Sequence, residues 1–158
     1  MNLRNLFRRN TFEHGVHPQE HKELTSVLPI RRLPFAPQLI LPLSQHAGAP
    51  AVPLVKPGQE VVRGEPVARA DGFVSVPMHA PATGRVEAIQ LMPSARGPKT
   101  PSMLLHVYEG SSQEVLYGST RDVQRMTPEE IMQAVQDAGM VGLGGAAFPT
   151  HVKMKPPP

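Results

Sequence analysis

Proline constrains this chain more than any other residue. Of its 19 prolines, 14 fall between Pro18 and Pro101. Each one removes a backbone donor and fixes φ, so no long helix can run through that stretch. The first two-thirds of the chain must be strands, turns and extended connections. Aromatic residues are few and tryptophan is absent, so a core has to be assembled from Val, Ile, Leu, Met and Ala. Such a core is modest, in keeping with a small domain. The absence of cysteine excludes disulfides, thiolate zinc sites and iron–sulfur ligation by this stretch of chain.

The net charge of +3 is local. Residues 1–35 hold six basic side chains (Arg4, Arg8, Arg9, Lys22, Arg31, Arg32) against Glu13, Glu20 and Glu23, and the remainder is balanced. With no basic stripe and no interleaved aromatics, nucleic-acid binding is not expected. No apolar run reaches the roughly 20 residues needed to cross a bilayer. Leu3, Leu6 and Phe7, with arginines between and after them, can form a short amphipathic turn, so residues 1–9 are a candidate contact with an anionic membrane surface or a partner. A frayed basic terminus is the plainer reading of the same residues.

From Ala36 to about Gly110, short apolar stretches alternate with turn signals every eight to twelve residues, the spacing of a small all-β sandwich or barrel. Gln38 to Leu41 reads as a strand ended by Pro42. Pro57-Gly58 suits the centre of a type II turn, and Arg63-Gly64 forms a second turn joining Val61-Val62 to Pro66-Val67-Ala68. Arg85 and Glu87 alternate with Val86 and Ala88, as in a strand with one wet face, and Met103 to Tyr108 supplies a closing strand. Glu109-Gly110-Ser111-Ser112 reads as a boundary. His46 and His79, beside prolines and small residues, are expected to bond locally to backbone. His14, His17 and His21 have spacings that could hold a metal, but Pro18 interrupts them and no metal site is assigned. Neither a Ser-His-Asp order nor a carboxylate pair supports hydrolase chemistry, and no catalytic residue is named.

Beyond the boundary the periodicity changes. Thr127 to Gly139 predicts a helix, with Thr127 and Glu130 as a capping box, Pro128 at its first position, Ile131, Val135 and Ala138 on one face, and Gly139 as the left-handed cap. A glycine-rich loop follows, Gly142-Leu143-Gly144-Gly145-Ala146-Ala147-Phe148-Pro149-Thr150. Closely spaced glycines let backbone N–H groups approach a phosphate or a flavin with no Cβ in the way. The chain then ends at Pro158, and a glycine loop so close to an end points to a truncated domain.

Two patterns, Val-x-Pro-Gly-x-x-Val-x-x-Gly followed by Ala-Pro-x-x-Gly-x-Val-x-x-Ile, resemble the barrel-sandwich hybrid fold of biotinyl and lipoyl domains. In that fold the first pattern turns the chain twice within one sheet. A carrier domain presents a lysine on the following hairpin. Here that stretch is Arg69 to Val76, with no lysine between Lys56 and Lys99, so a carrier role is not expected. Taken with Gly15-Val16-His17-Pro18, Gln45-His46-Ala47-Gly48-Ala49-Pro50, Gly72 to Pro81 and the Gly-Gly-Ala-Ala-Phe-Pro-Thr loop, the chain is similar throughout to the C subunit of the bacterial Rnf electron-transport complex.

The resemblance implies a mainly β barrel-sandwich hybrid domain at 36–110, preceded by a basic extended segment at 1–35. At 111–158 it implies the helix and glycine loop that open an incomplete α/β NADH- and FMN-binding domain, related to the flavin subunit of respiratory complex I. It implies a peripheral subunit on the cytoplasmic side of the bacterial inner membrane, working with other Rnf subunits to couple electron transfer between NADH and ferredoxin to ion translocation. By the same resemblance Gly142, Gly144, Gly145 and Ala146 form a cofactor cradle, Phe148 stacks on the dinucleotide and Lys153 places a cation near phosphates. The family usually has Gly-Gly-Ala-Gly-Phe-Pro, and this chain has Ala147 at the last glycine. No cofactor is expected in this stretch alone. FMN, NADH and two 4Fe-4S clusters are implied for an intact subunit, the clusters on two Cys-x2-Cys-x2-Cys-x3-Cys-Pro runs further along the chain. Two other readings stand beside it: a non-catalytic assembly module, and the related A subunit of sodium-translocating NADH:quinone reductase.

Overall fold

A computed structural model describes residues 19–31, 33–95 and 97–155. The chain parts into two units between Pro34 and Phe35. In the first, the Lys22 carbonyl accepts from the N–H groups of Thr25 (3.0 Å) and Ser26 (2.7 Å), forming a turn. Leu24, Val27, Leu28, Ile30 and Leu33 are all exposed there. The expected amphipathic turn at 1–9 lies outside the described residues, as do His14 and His17.

The second unit is built on a barrel-like pair of sheets. Strands β1 (Gln38–Pro42), β2 (Val52–Pro53), β3 (Glu60–Val61), β4 (Pro66–Arg69), β5 (Met78–His79), β6 (Gly84–Ser94) and β7 (Gly97–Val107) form a four-stranded sheet ordered β1-β7-β6-β3 and a three-stranded sheet ordered β2-β4-β5. All pairings are antiparallel. Both sheets bury side chains in one core, made by Leu41, Val61, Val67, Val86, Met103 and Leu105 among others. Each such side chain contributes about 1.5–3 kcal/mol through removal from water.

The two predicted turns are present, but they do different work. Gln59 N–H donates to the Lys56 carbonyl (3.1 Å) and Glu65 N–H to that of Val62 (3.0 Å). Gly58 and Gly64 have φ of +88° and +91°. Rather than keeping the chain within one sheet, each turn passes it to the other: β2 and β4 belong to the small sheet and β3 between them to the large one. The strand expected at Val61-Val62 is Glu60–Val61, and Val62 faces solvent. The closing strand is the far end of an 11-residue strand, β7, paired along its length with an equally long β6. Alternation in β6 holds from Gly84 to Val86 and is then broken by a bulge between Val86 and Ala88.

The segment after Gly110 is fastened back onto the barrel. Thr83 N–H donates to Gln113 Oε1 (2.8 Å) and Arg63 Nη1 donates to the Gln113 carbonyl (2.6 Å). Residues 35–158 accordingly form one compact unit. A 3-10 turn at Val123–Arg125 precedes helix α1, Pro128–Asp137. The capping box is formed in both directions, with Glu130 N–H donating to Thr127 Oγ1 (3.2 Å) and Thr127 N–H to Glu130 Oε2 (2.8 Å). The helix ends in a Schellman arrangement: Gly139 N–H donates to Gln136 and Met140 N–H to Val135. Its partly covered face is Ile131, Met132, Ala134 and Val135; Ala138, expected on that face, is exposed. Gln136 Nε2 donates to the Ser75 carbonyl (3.2 Å), which ties the helix to the barrel.

Between β4, β5 and α1 runs a cleft of two adjoining cavities, about 390 and 490 Å³, which share Pro66, His79 and Asp137. Burial in this cleft lowers the pKa of His79 from 6.5, and the nearby Asp137 carboxylate opposes the shift.

A Cβ on Gly84 would lie 2.0 Å from the His106 carbonyl oxygen, at the register where β6 meets β7, and rigid backbone cannot yield there. Gly84→Ala is expected to destabilise the protein by about 3 kcal/mol, measured by denaturant unfolding. As the pH falls through 6.5 the unfolded chain takes up a proton at residue 79 before the folded chain does, so stability present above 6.5 declines toward the depressed folded value. The unfolding midpoint should drop as the pH falls through 6.5, and His79→Gln should flatten that drop.

Candidate functional site

The glycine loop is the tip of a small hairpin. Strand β8 (Val141–Gly142) pairs antiparallel with β9 (Phe148–Pro149), with Val141 opposite Pro149 and Gly142 opposite Phe148. Thr150 N–H donates to the Met140 carbonyl (3.0 Å), and helix α2, Thr150–Met154, follows directly. Residues 143–146 form the exposed turn between the strands. No parallel strand pair occurs among the described residues, so the elements seen here are a hairpin and two helices on a β-barrel.

The predicted site residues converge on this hairpin. A Cβ built on Gly144 or Gly145 would meet nothing within 4 Å, and neither residue has a left-handed φ. Neither the packing nor the backbone conformation of this chain therefore asks for glycine at these positions. Gly142 is different: a Cβ there would lie 3.4 Å from Lys153 Nζ. Lys153 Nζ also sits 5.7 Å from the centroid of Phe148, so the candidate cation and the candidate stacking ring are already in contact. A ligand stacked on that face of Phe148 would meet the ammonium at once. Ala146 is exposed beside Gly145 in the turn.

Residues that sequence reasoning passed over hold the hairpin to the barrel. Ala47 N–H donates to the Ala147 carbonyl (3.2 Å). His151, in α2 and only 3 % exposed, donates from Nε2 to the Phe73 carbonyl (2.7 Å). Its ring meets that of Phe73 edge-on at 5.4 Å, and Lys155 Nζ lies 5.1 Å from the Phe73 centroid. The receiving barrel loop is braced by His46, whose Nε2 donates to the Ala49 carbonyl (3.0 Å), which also accepts from the Ser75 hydroxyl (2.9 Å). His46 thus bonds locally to backbone, as expected. The long-range role of His151 left no mark in the sequence, because a single histidine after Pro-Thr looks like any surface residue.

Among the described residues, no group of three or more His, Cys, Asp or Glu is placed to hold a metal ion. No helix among them is long and apolar enough to cross a membrane.

Ala147 carries the one backbone irregularity in the hairpin. Its φ is +52°, in the left-handed region where a Cβ crowds the backbone. Ala147→Gly should raise stability by about 1 kcal/mol, net of the flexibility it adds to the unfolded chain, as read from chemical denaturation.

The comparisons with known proteins agree with one another. The family model described as the RnfC barrel sandwich hybrid domain matches residues 10–108. The C subunit of the Na(+)-translocating ferredoxin:NAD(+) oxidoreductase complex of Acetobacterium woodii is 39% identical over 157 residues, covering 96% of this chain and 34% of the relative. Its counterpart in the proton-translocating ferredoxin:NAD(+) oxidoreductase complex of Clostridium ljungdahlii is 35% identical over 150 residues, covering 94% and 32%. The C subunit of the ion-translocating oxidoreductase complex of Rhodobacter capsulatus is 39% identical over 142 residues, covering 89% and 27%. The chain thus spans about a third or less of the length of these relatives. With the family match taking in residues 10–108, well over half of the chain, the protein belongs to the RnfC barrel sandwich hybrid domain family.

Proposed function

We propose that the chain is the barrel and the opening of the nucleotide-binding region of a C subunit in an Rnf-type complex. Such a complex couples electron transfer between NADH and ferredoxin to ion translocation. The names of the relatives support this, since each is the C subunit of an ion-translocating oxidoreductase complex. In this reading the protein is peripheral, on the cytoplasmic side of the bacterial inner membrane, and its partners are the other subunits of the complex.

The observation that carries the nucleotide site is the bare, outward-facing backbone at Gly144 and Gly145, which the fold itself does not require. Gly142, Gly144, Gly145 and Ala146 would present N–H groups to the phosphates of NADH or FMN. Lys153 would neutralise phosphate charge from beside Gly142, and Phe148 would offer its ring to a planar group. The bound flavin or nicotinamide would supply the redox chemistry. The chain's own residues bind, orient and shield it, and none acts as a catalytic acid or base. Iron–sulfur clusters belong, in this proposal, to other parts of a longer subunit.

FMN and NADH should be titrated separately into the full natural subunit, with binding followed by fluorescence. Saturable binding is expected for at least one of them. Gly145→Ala should weaken it at least about tenfold by placing a methyl group where the phosphate approaches, while leaving stability within about 0.5 kcal/mol, because the methyl meets no protein atom. Absence of binding in both the natural subunit and its Ala147→Gly variant would leave an assembly module as the correct description.

A further inference from the structure

By sequence pattern, the barrel loop from Arg69 to Val76 corresponds to the hairpin on which a carrier domain displays its lysine, and here it has another use. It receives side chains from both helices that flank the glycine hairpin. Gln136 of α1 donates to the Ser75 carbonyl at 3.2 Å, and His151 of α2 donates to the Phe73 carbonyl at 2.7 Å. A carbonyl can only accept, so Nε2 of the His151 ring carries a proton and donates it. The other ring nitrogen, Nδ1, is buried with no hydrogen-bond partner. A side chain selected only for packing would not leave such an atom in the interior, since an apolar residue fills the space without it. What the imidazole adds over an apolar residue is the directed bond to the barrel. That bond lies two residues before Lys153, on a helix of five residues that has little rigidity of its own.

We propose that His151 is a positioning residue: by anchoring α2 to the carrier-type loop of the barrel, it sets where Lys153 and the glycine turn stand, and hence how tightly the hairpin holds a nucleotide phosphate. This rests on the nucleotide reading above and adds to it that the barrel governs affinity through one hydrogen bond. With α2 seated on the barrel in this way, Lys153 Nζ stands over the Phe148 ring and beside Gly142.

The test uses the full natural subunit, with NADH and FMN as probes and thermal unfolding measured in parallel. His151→Leu removes the anchor together with the orphaned nitrogen. His151→Asn keeps a polar side chain, but its amide reaches only as far as Nδ1 does. His151→Gln places an N–H close to the position of Nε2. The Leu and Asn variants are expected to raise the nucleotide Kd about tenfold while the melting temperature moves by no more than about 3 °C, and Gln is expected to restore the Kd to within about twofold. An unchanged Kd in a folded Leu or Asn variant overturns the proposal, as does a lowered melting temperature with an unchanged Kd. Lys153→Ala separates the two levels. If it weakens binding while the His151 variants do not, only the positioning role falls; if the natural subunit binds neither probe, the nucleotide site falls and this role with it.

Discussion

The pairing of β6 with β7 is the constraint on which the rest of the second unit depends. These two strands form the middle of the four-stranded sheet, and β1 and β3 each hang on one of them. At the base of the pair Gly84 lies against the His106 carbonyl, so close that no side chain fits. The same ladder carries Val86, Met103, Leu105 and Val107 into the common core. The small sheet has short strands and one bulge, and it is held chiefly by what it buries against this ladder rather than by its own hydrogen bonds.

The second dependence runs from the barrel outward. Helix α1 is well capped but has no fully buried residue, and α2 is too short to persist alone. Both are kept in place by side chains reaching one barrel loop, and the glycine hairpin between them is held by a backbone bond to Ala47. The barrel is thus a mount for the hairpin as well as a domain in its own right.

Much of this was legible in the sequence, for physical reasons that are local. The capping box at Thr127, the left-handed cap at Gly139 and the proline–glycine turns are decided within four or five residues, so spacing alone reveals them. Sheet membership is decided by contacts between distant residues. The same Pro57-Gly58 and Arg63-Gly64 turns serve equally well within a sheet or between two, and only the burial of Val61 and Val67 in one shared core selects the second arrangement. The extra length of β6 and β7 was hidden because Pro93, Pro98 and Pro101 look like strand breakers, yet they are accommodated in a hairpin open along part of each edge. The bare backbone at Gly144 and Gly145 was legible as composition. The grip of His151 on Phe73 joins residues 78 positions apart and has no pattern to betray it.

The prolines of the long hairpin have a consequence for how its edges meet other molecules. Among the described residues, no backbone outside the hairpin pairs with β6 beyond Val86 or with β7 before Pro101. Open borders of that kind ordinarily recruit stray chains. Pro93 sits within a bulge and Pro98 has no N–H to offer, so the projecting arm is a poor template for adventitious strand addition. Near its turn this hairpin offers fewer backbone donors to a neighbouring molecule, so contact there falls more to its side chains.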